Sequence, residues 1–376
     1  MYLNQLSKKR LLVFIYIILF IFVIFNTKIM ADENLHQFDG TSDLKKWNNL
    51  EEKVEANDEP ATLSLYLEND IFTSGEDGGY SNGLKLTWSS GILADYPKDV
   101  WPHRWLYPII KLVPFEKFAD RRKNVTFSLG QNIYTPADID KDPPDEDDRP
   151  YAGITYFSLG FHSRLERQMD TIELTLGLVG PDSYAEQCQK TVHKIFDDIE
   201  PKGWDHQLNN EPVIGIVYEH KKRMIQSGLD AGFGYDCVLN TGGGLGNAMT
   251  YYNLGLTFRF GWNLPNDFGN FPIRTVSSFN AASDKNARRY ASNKIGIQLF
   301  AGVEGRAVLY NIFLDGNTFT DSPSVDKKPI VADYMTGISI SHGPVQLSFA
   351  YVIRSKEFET QEKTQSFGSI NLSFSY

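Results

Sequence analysis

Apolar and polar residues alternate along most of the chain, from about residue 61 to the C-terminus. Five rows show the alternation most clearly. Their apolar members are Ile172, Leu174, Leu176 and Leu178; Leu254, Leu256, Phe258, Phe260 and Trp262; Ile295, Ile297, Leu299, Ala301 and Val303; Val345, Leu347, Phe349 and Tyr351; and Ile370, Leu372, Phe374 and Tyr376. Because successive side chains of a strand point to opposite faces, each row predicts a strand with one apolar face. Further candidate strands lie near 62–69, 82–90, 124–134, 151–163, 212–220, 228–237, 307–314 and 331–341. About a dozen such segments, mostly separated by short polar turns, predict an antiparallel meander.

Three features favour a transmembrane β-barrel over a soluble β-sandwich, which would also alternate. The polar faces are rich in Gly, Ser, Thr and Gln, which suit a narrow polar lumen. Aromatic residues such as Tyr134, Tyr156 and Trp262 lie near strand ends, as in the interfacial girdles of outer-membrane barrels. The last strand also ends on an aromatic residue, Tyr376. The sequence therefore predicts an all-β fold, an antiparallel transmembrane β-barrel of about 12 strands over residues 61–376.

The first 60 residues lack this alternation. Residues 8–10 are basic, residues 11–25 form an apolar run, and a short stretch ending in the small Ala31 follows. This order is typical of a secretory signal peptide, so we expect residues 1–31 to be removed by cleavage near Ala31. The run is shorter than the roughly 20 residues of a spanning helix, although an uncleaved anchor remains the alternative. Residues 32–60 are polar and acidic, and we expect them to be flexible.

Composition excludes several other classes of protein. A formal net charge of −10 argues against a nucleic-acid binder, which needs a basic surface. With 41% hydrophobic and 13% aromatic residues, the chain is too apolar to be disordered. Two cysteines are too few for a disulfide scaffold, and the sequence leaves open whether Cys188 and Cys237 pair.

One segment departs from the two-residue period. Between Asp182 and Glu200, apolar residues recur at helical spacing, and they are Tyr184, Cys188, Val192, Ile195, Phe196 and Ile199. The spacing predicts a short helix in an extracellular loop, with Asp182 as its N-cap. Gln189 and His193, four residues apart, share the opposite, polar face. A histidine can accept a proton near neutral pH, although a lone histidine is more often an ordinary surface residue.

Polar residues also cluster where the first two predicted strands meet. Asn69 and Asp70 end one strand, and Ser81 and Asn82 begin the next, so a hairpin would place the four side chains together. Carboxylate, amide and hydroxyl oxygens suit a hard cation such as Ca²⁺. The same residue types are also ordinary turn formers, and composition alone favours that simpler interpretation.

Six motifs in order give the chain a specific resemblance. They are END followed by GYSNGL, then GQNIYTP, DRPYAG, GLVGP, QKTVH and GWDHQLNNE. Together they resemble the outer-membrane lipid A 3′-O-deacylase family over essentially the whole predicted mature chain. The resemblance implies a twelve-stranded barrel in the bacterial outer membrane that removes an ester-linked acyloxyacyl chain from lipid A and depends on Ca²⁺.

The resemblance also implies roles for individual residues. His193 corresponds to the general base that activates water. Asn69 and Ser81 match residues at the strand mouth, and Gln189 matches a glutamine one turn before the histidine. A serine nucleophile at Ser81 is the competing mechanism.

For the cation, the resemblance implies Asp70 and Asn69 as ligands. The family also has a Glu shortly after the His. The nearest one here, Glu200, lies one place beyond the expected spacing. Arg149 and Lys190 are candidates to bind the phosphates of lipid A.

The expected partners are lipid A or lipopolysaccharide and outer-membrane lipid, with no nucleic acid, and we expect a monomer. Two other functions remain open at this point. An outer-membrane phospholipase would share the location and the ester chemistry. A porin, adhesin or structural barrel would give no role to His193 or to the predicted helix.

Overall fold

The computed structural model describes residues 61–72, 79–91, 121–197, 199–228, 232–269, 273 and 295–376. The predicted signal peptide and the acidic segment 32–60 lie outside these residues. No helix in the described part of the chain is both long enough and apolar enough to cross a membrane.

Twelve antiparallel strands close into a single barrel. Each strand pairs with its neighbours in sequence, and β1 pairs with β12 to complete the ring. The strands are β1 (Thr62–Asn69), β2 (Gly79–Ser89), β3 (Arg122–Thr135), β4 (Ala152–Arg164), β5 (Gln168–Val179), β6 (Glu211–Ser227), β7 (Phe233–Gly246), β8 (Met249–Trp262), β9 (Ile295–Asn311), β10 (Ile330–His342), β11 (Val345–Arg354) and β12 (Gln365–Ser375). The predicted fold class is therefore confirmed.

Two strand predictions differ from the structure. Segments 295–303 and 307–314 were expected as separate strands, but residues 295–311 form the single strand β9. The outward row does not end at Val303 but continues through Gly305 and Ala307, and the side chains of Glu304 and Arg306 between them are buried on the inner face. Of the segment expected as a strand over 228–237, residues 233–237 form the beginning of β7. Gly228 follows the end of β6 and adopts a positive φ of 64°, which favours glycine and is not a strand conformation.

The barrel is apolar outside and polar inside, as a transmembrane barrel must be. Outward residues such as Leu86, Leu129 and Leu176 are exposed. Inward residues such as Lys85 and Glu173 are buried.

An apolar cluster fills the barrel interior near one end. It includes Tyr80, Tyr134 and Phe367 from the wall and Phe313 from a short helix, α2 (Ile312–Asp315). The rings of Tyr134 and Phe313 stack with centroids 4.1 Å apart. The cluster draws on residues from most of the strands, so it closes the lumen at this end.

The other helix, α1 (Ala185–Phe196), lies in the connection between β5 and β6, at the same end as the apolar cluster. This end carries the connections 136–151, 180–210 and 312–329, and the opposite end carries the short turns 165–167 and 343–344 together with the longer connections 90–121 and 263–294. Connection length therefore does not distinguish the two ends, and the extracellular location of α1 stays a prediction from the sequence.

Candidate functional site

Helix α1 packs against the outer face of the barrel wall. Asn69, Asn82, Ile133 and Gly153 follow one another across β1 to β4 in register, and the alternation of burial places this row on the outside. A Cβ atom on Gly153 would lie 2.0 Å from the Cβ of Ala185. The helix can therefore lie this close to the wall only because residue 153 has no side chain.

A cavity lies between α1 and this outer wall. The barrel contributes Asn69, Ser81, Asn82 and Ile133 to its lining, and α1 contributes Cys188, Gln189, Val192 and His193. The cavity holds about 280 Å³ of empty space, part of which is open to solvent. The structure thus brings together all four residues that the sequence indicated as catalytic: Asn69, Ser81, Gln189 and His193.

A local irregularity in β2 places Ser81. The register between β2 and β3 shifts between Tyr80 and Asn82, so Ser81 occupies a β-bulge. Its hydroxyl oxygen is 2.5 Å from that of Thr135. Bulges re-aim side chains next to functional sites, and here the bulge allows Ser81 and Asn82 to line the same cavity.

The backbone fixes the tautomer of His193. Its Nδ1 atom lies 2.6 Å from the carbonyl oxygen of Ile199. A carbonyl can only accept a hydrogen bond, so Nδ1 carries the proton and the lone pair of the neutral ring is on Nε2. His193 is mostly buried at the cavity, and this tautomer equips Nε2 to accept a proton.

Gln189, one turn earlier on α1, is held from behind by Trp204. The indole Nε1 of Trp204 donates a hydrogen bond of 2.8 Å to Gln189 Oε1. Trp204 lies in the short turn Gly203–His206 and is buried with Tyr151 and Ile133. Both partners of this hydrogen bond are therefore shielded from water.

The helix differs from its prediction in extent and in the face that packs. It spans residues 185–196 rather than 182–200, and its N-cap is Tyr184 rather than Asp182. The side toward the barrel joins Gln189 and His193 of the predicted polar face to Cys188 and Val192 of the predicted apolar face, while Tyr184 and Ile195 are exposed. The wall here is mixed as well, with polar Asn69 and Asn82 beside apolar Ile133.

Four of the predicted site residues lie outside the cavity lining, and they are Asp70, Arg149, Lys190 and Glu200. Arg149 is fully buried, and its guanidinium donates a hydrogen bond of 2.9 Å to Glu357. This placement argues against a direct phosphate contact by Arg149. Lys190 is partly exposed and pairs with Glu186 at 2.7 Å, and this hydrogen bond raises the pKa of Lys190. Glu200 is exposed.

The donor atoms near the cavity fit Ca²⁺ in type but offer little charge. Among the described residues, no three His, Cys, Asp or Glu side chains are grouped so that they could hold a metal ion. Asn69 and Ser81 supply neutral oxygens at the cavity, and the carboxylate of Asp70 is buried directly after Asn69. Such a set suits a hard cation completed by water, and its low charge favours weak binding.

Several features of the site had no clear signal in the sequence. The Ile199 carbonyl cannot be read from residue type, and the close approach at Gly153 depends on distant parts of the chain. Trp204 was visible within the GWDHQLNNE motif, but not as a partner of Gln189. The two cysteines are both free, which settles their pairing in this structure.

Comparisons with known proteins agree with this architecture. No curated protein matches the chain in sequence. Among solved structures, LpxR from Salmonella typhimurium is similar with a TM-score of 0.66 and 19% identity, over 84% of this chain and 100% of that chain. The β domain of the Bordetella autotransporter BrkA gives a TM-score of 0.38 and 9% identity, over 84% and 98% of the two chains.

The family comparison covers more of the chain. The family model described as outer membrane protein LpxR matches residues 18–376, which include every described strand. Together with the closed twelve-stranded barrel, this match confirms the resemblance and places the protein in the bacterial outer membrane. The chain belongs to the outer membrane protein LpxR family, the lipid A 3′-O-deacylase family that its motifs indicate.

Proposed function

We propose that this protein hydrolyses an ester-linked acyl or acyloxyacyl chain at the 3′ position of lipid A. The observation that carries the proposal is the position of the cavity. It holds a histidine with a fixed tautomer, two amides and a hydroxyl, and it lies on the outer wall of a membrane barrel rather than in the lumen. The outer wall of a membrane barrel contacts lipid, so a substrate bound there is expected to be a lipid rather than a water-soluble molecule.

The wall below the cavity supports a lipid substrate. The next outward pair along the strands from Asn69 and Asn82 is Leu67 with Leu84, and the one after it is Leu65 with Leu86. These outward leucines belong to the surface that contacts hydrocarbon. An ester at the cavity would therefore have its acyl chain alongside the leucines, in the outer leaflet.

The exposed sides of α1 agree with this orientation. At 100° per residue, Tyr184 and Ile195 lie on the same side as Cys188, which lines the cavity. Lys190 and Lys194 lie on the opposite side. The apolar side would face lipid and the charged side water. Lys190 is then on the side where lipid A phosphates lie, and it would exchange its pairing with Glu186 for phosphate.

In the proposed reaction His193 Nε2 removes a proton from water as the water oxygen attacks the ester carbonyl carbon. The Nδ1–H bond to the Ile199 carbonyl holds the ring and stabilises the imidazolium that forms. When the tetrahedral intermediate collapses, Nε2–H returns the proton to the leaving sugar oxygen, so the products are a fatty acid and an alcohol. General-base help of this kind contributes about 10²–10⁴-fold.

The other cavity groups bind and orient the substrate. Asn69 and Ser81 offer hydrogen bonds to the ester, and the Ser81 hydroxyl is already engaged with Thr135. Asp70 and Asn69 are the residues that would hold Ca²⁺, with Glu200 as a further candidate. A bound Ca²⁺ would supply positive charge that polarises the ester carbonyl. We expect the protein to act as a monomer.

Mass spectrometry of lipid A tests the proposal, after expression in a host that lacks such an enzyme. We expect loss of the 3′ acyl mass with the wild-type protein and unchanged lipid A with His193→Ala. His342→Ala is the matched control, because His342 ends β10 at the opposite end of the barrel. An outer-membrane phospholipase would instead change the glycerophospholipids, and unchanged lipids throughout would refute the enzymatic proposal.

A further inference from the structure

The hydrogen bond from Trp204 determines which way the Gln189 amide points. An indole N–H can only donate, so the Gln189 atom facing Trp204 must be the oxygen. The amide nitrogen Nε2, with its two N–H groups, therefore points away from Trp204. Gln189 lines the cavity and Trp204 does not, so the side of the amide away from Trp204 is the side that can reach the cavity.

This amide nitrogen has an unmet hydrogen-bonding capacity. Gln189 is only 4% exposed. Within the described part of the chain, Nε2 has no hydrogen-bond partner. Burying an unsatisfied donor destabilises a protein, and such groups in native structures call for an explanation in terms of a ligand or a reaction. In the reaction proposed above, the group that develops negative charge is the ester carbonyl oxygen.

We propose that Trp204 is a positioning residue that holds the Gln189 amide with its N–H groups toward the reacting carbonyl, so that Gln189 serves as an oxyanion donor of the protein itself. The inference rests on the proposed function and adds a protein donor to any charge that a cation supplies. Donors that are already aimed at a developing oxyanion need no reorganisation during the reaction.

Trp204 is well placed to keep a fixed orientation. Its side chain is 1% exposed and packs in a buried cluster with Ile133, Ile139 and Ala185. Its ring lies 4.9 Å from that of Tyr151. The Tyr151 hydroxyl in turn donates to the carbonyl of Ile139. Packing on all sides leaves the indole N–H little freedom to turn away from Gln189.

A double-mutant cycle tests the inference on purified full-length protein with lipid A as the substrate. Trp204→Phe removes the N–H and keeps an aromatic ring, and Gln189→Leu removes the donor. We expect kcat to fall about 10²–10³-fold in Gln189→Leu, the usual cost of losing one oxyanion donor. We expect a smaller loss, roughly 10–100-fold, in Trp204→Phe, because the free amide still samples the correct orientation. KM should change less than about twofold in both, since the interaction forms only in the transition state.

The decisive comparison is Trp204→Phe in the Gln189→Leu background. With no amide to orient, it should lower kcat no further. Trp88→Phe is the matched control, because Trp88 Nε1 also donates to a side chain, Tyr376, but at the other end of β2. Equal losses from Trp204→Phe in both backgrounds would overturn the inference, as would wild-type kcat in the single variant.

Two further measurements distinguish failure of the proposed function from failure of the role proposed for Trp204. If Trp204→Phe does not give a heat-modifiable barrel, Gln189→Glu replaces it. That carboxylate can still accept from Trp204 but presents an oxygen to the oxyanion, so wild-type kcat would overturn the inference. If the wild-type protein releases no acyl chain, the proposed function itself fails. If wild type and Trp204→Phe are equally active, only the role of Trp204 fails.

Discussion

Substituting Gly153 with alanine should displace α1 and abolish most of the catalytic activity while the barrel remains folded. The added Cβ would lie 2.0 Å from Ala185 Cβ and 2.6 Å from Ser183 Oγ. Carbon atoms in ordinary contact are about 3.5–4.0 Å apart, so the start of α1 must move by roughly 1.5–2 Å. Gln189 and His193 lie on the same helix, one and two turns further on, and would move with it.

The size of the effect follows from this displacement. Overpacking of this kind costs about 1–3 kcal/mol, and here the strain falls on the contact between α1 and the wall. A misplacement of about 1 Å at a reacting centre can cost about 10²-fold in rate. We therefore expect Gly153→Ala to release acyl chains at least about 100-fold more slowly than the wild type.

Acyl release from lipid A, measured by mass spectrometry, is the assay, and heat-modifiable migration on gels reports the folded barrel. Gly305→Ala is the matched control. Gly305 also lies in a strand, but an added Cβ there would meet only the Leu254 carbonyl oxygen, at 4.0 Å. Wild-type activity in Gly153→Ala would refute the argument that the position of α1 on the wall sets the catalytic geometry.

Three further outcomes are expected. Loss of a true nucleophile lowers the rate about 10⁶-fold. Since water is the proposed nucleophile, Ser81→Ala should keep part of its activity in the acyl-release assay. A complete loss of activity, with an acyl-enzyme trapped in the wild type, would contradict the water mechanism. A chelator should inhibit and added Ca²⁺ should restore activity, with Asp70→Asn needing more Ca²⁺; full activity in excess chelator would exclude the cation. Burial raises the pKa of the Cys188 thiol, so less thiolate is present at pH 8 and alkylation should be slower than for an exposed thiol. The alkylation rate should rise as the pH increases, and mass spectrometry of alkylated peptides measures it. A rate equal to that of an exposed thiol would contradict this prediction.

Local patterns in the sequence predicted much of this protein. The two-residue period indicated the strands, because the alternation of faces is a property of each strand alone. Asn69 and Ser81 could be placed together since they flank a single hairpin connection, and Gln189 and His193 since they are one turn apart. The same local pattern missed the continuity of β9, because the outward row passes through Gly305, which has no side chain, between the inward Glu304 and Arg306.

The remaining features depend on contacts between distant segments. Helical periodicity indicated that α1 has two faces, but not which side meets the wall, because that depends on Asn82 and Gly153 in other strands. The contact between Trp204 and Gln189 joins residues on either side of an irregular loop. A backbone carbonyl, such as that of Ile199, has no signature in residue type at all.

The apolar cluster of Tyr80, Tyr134, Phe313 and Phe367 has a consequence for the product of the proposed reaction. The cluster fills the lumen at the end where α1 lies, and the cavity is on the outer wall. A fatty acid released at the cavity would therefore diffuse sideways among the neighbouring lipids instead of entering the barrel.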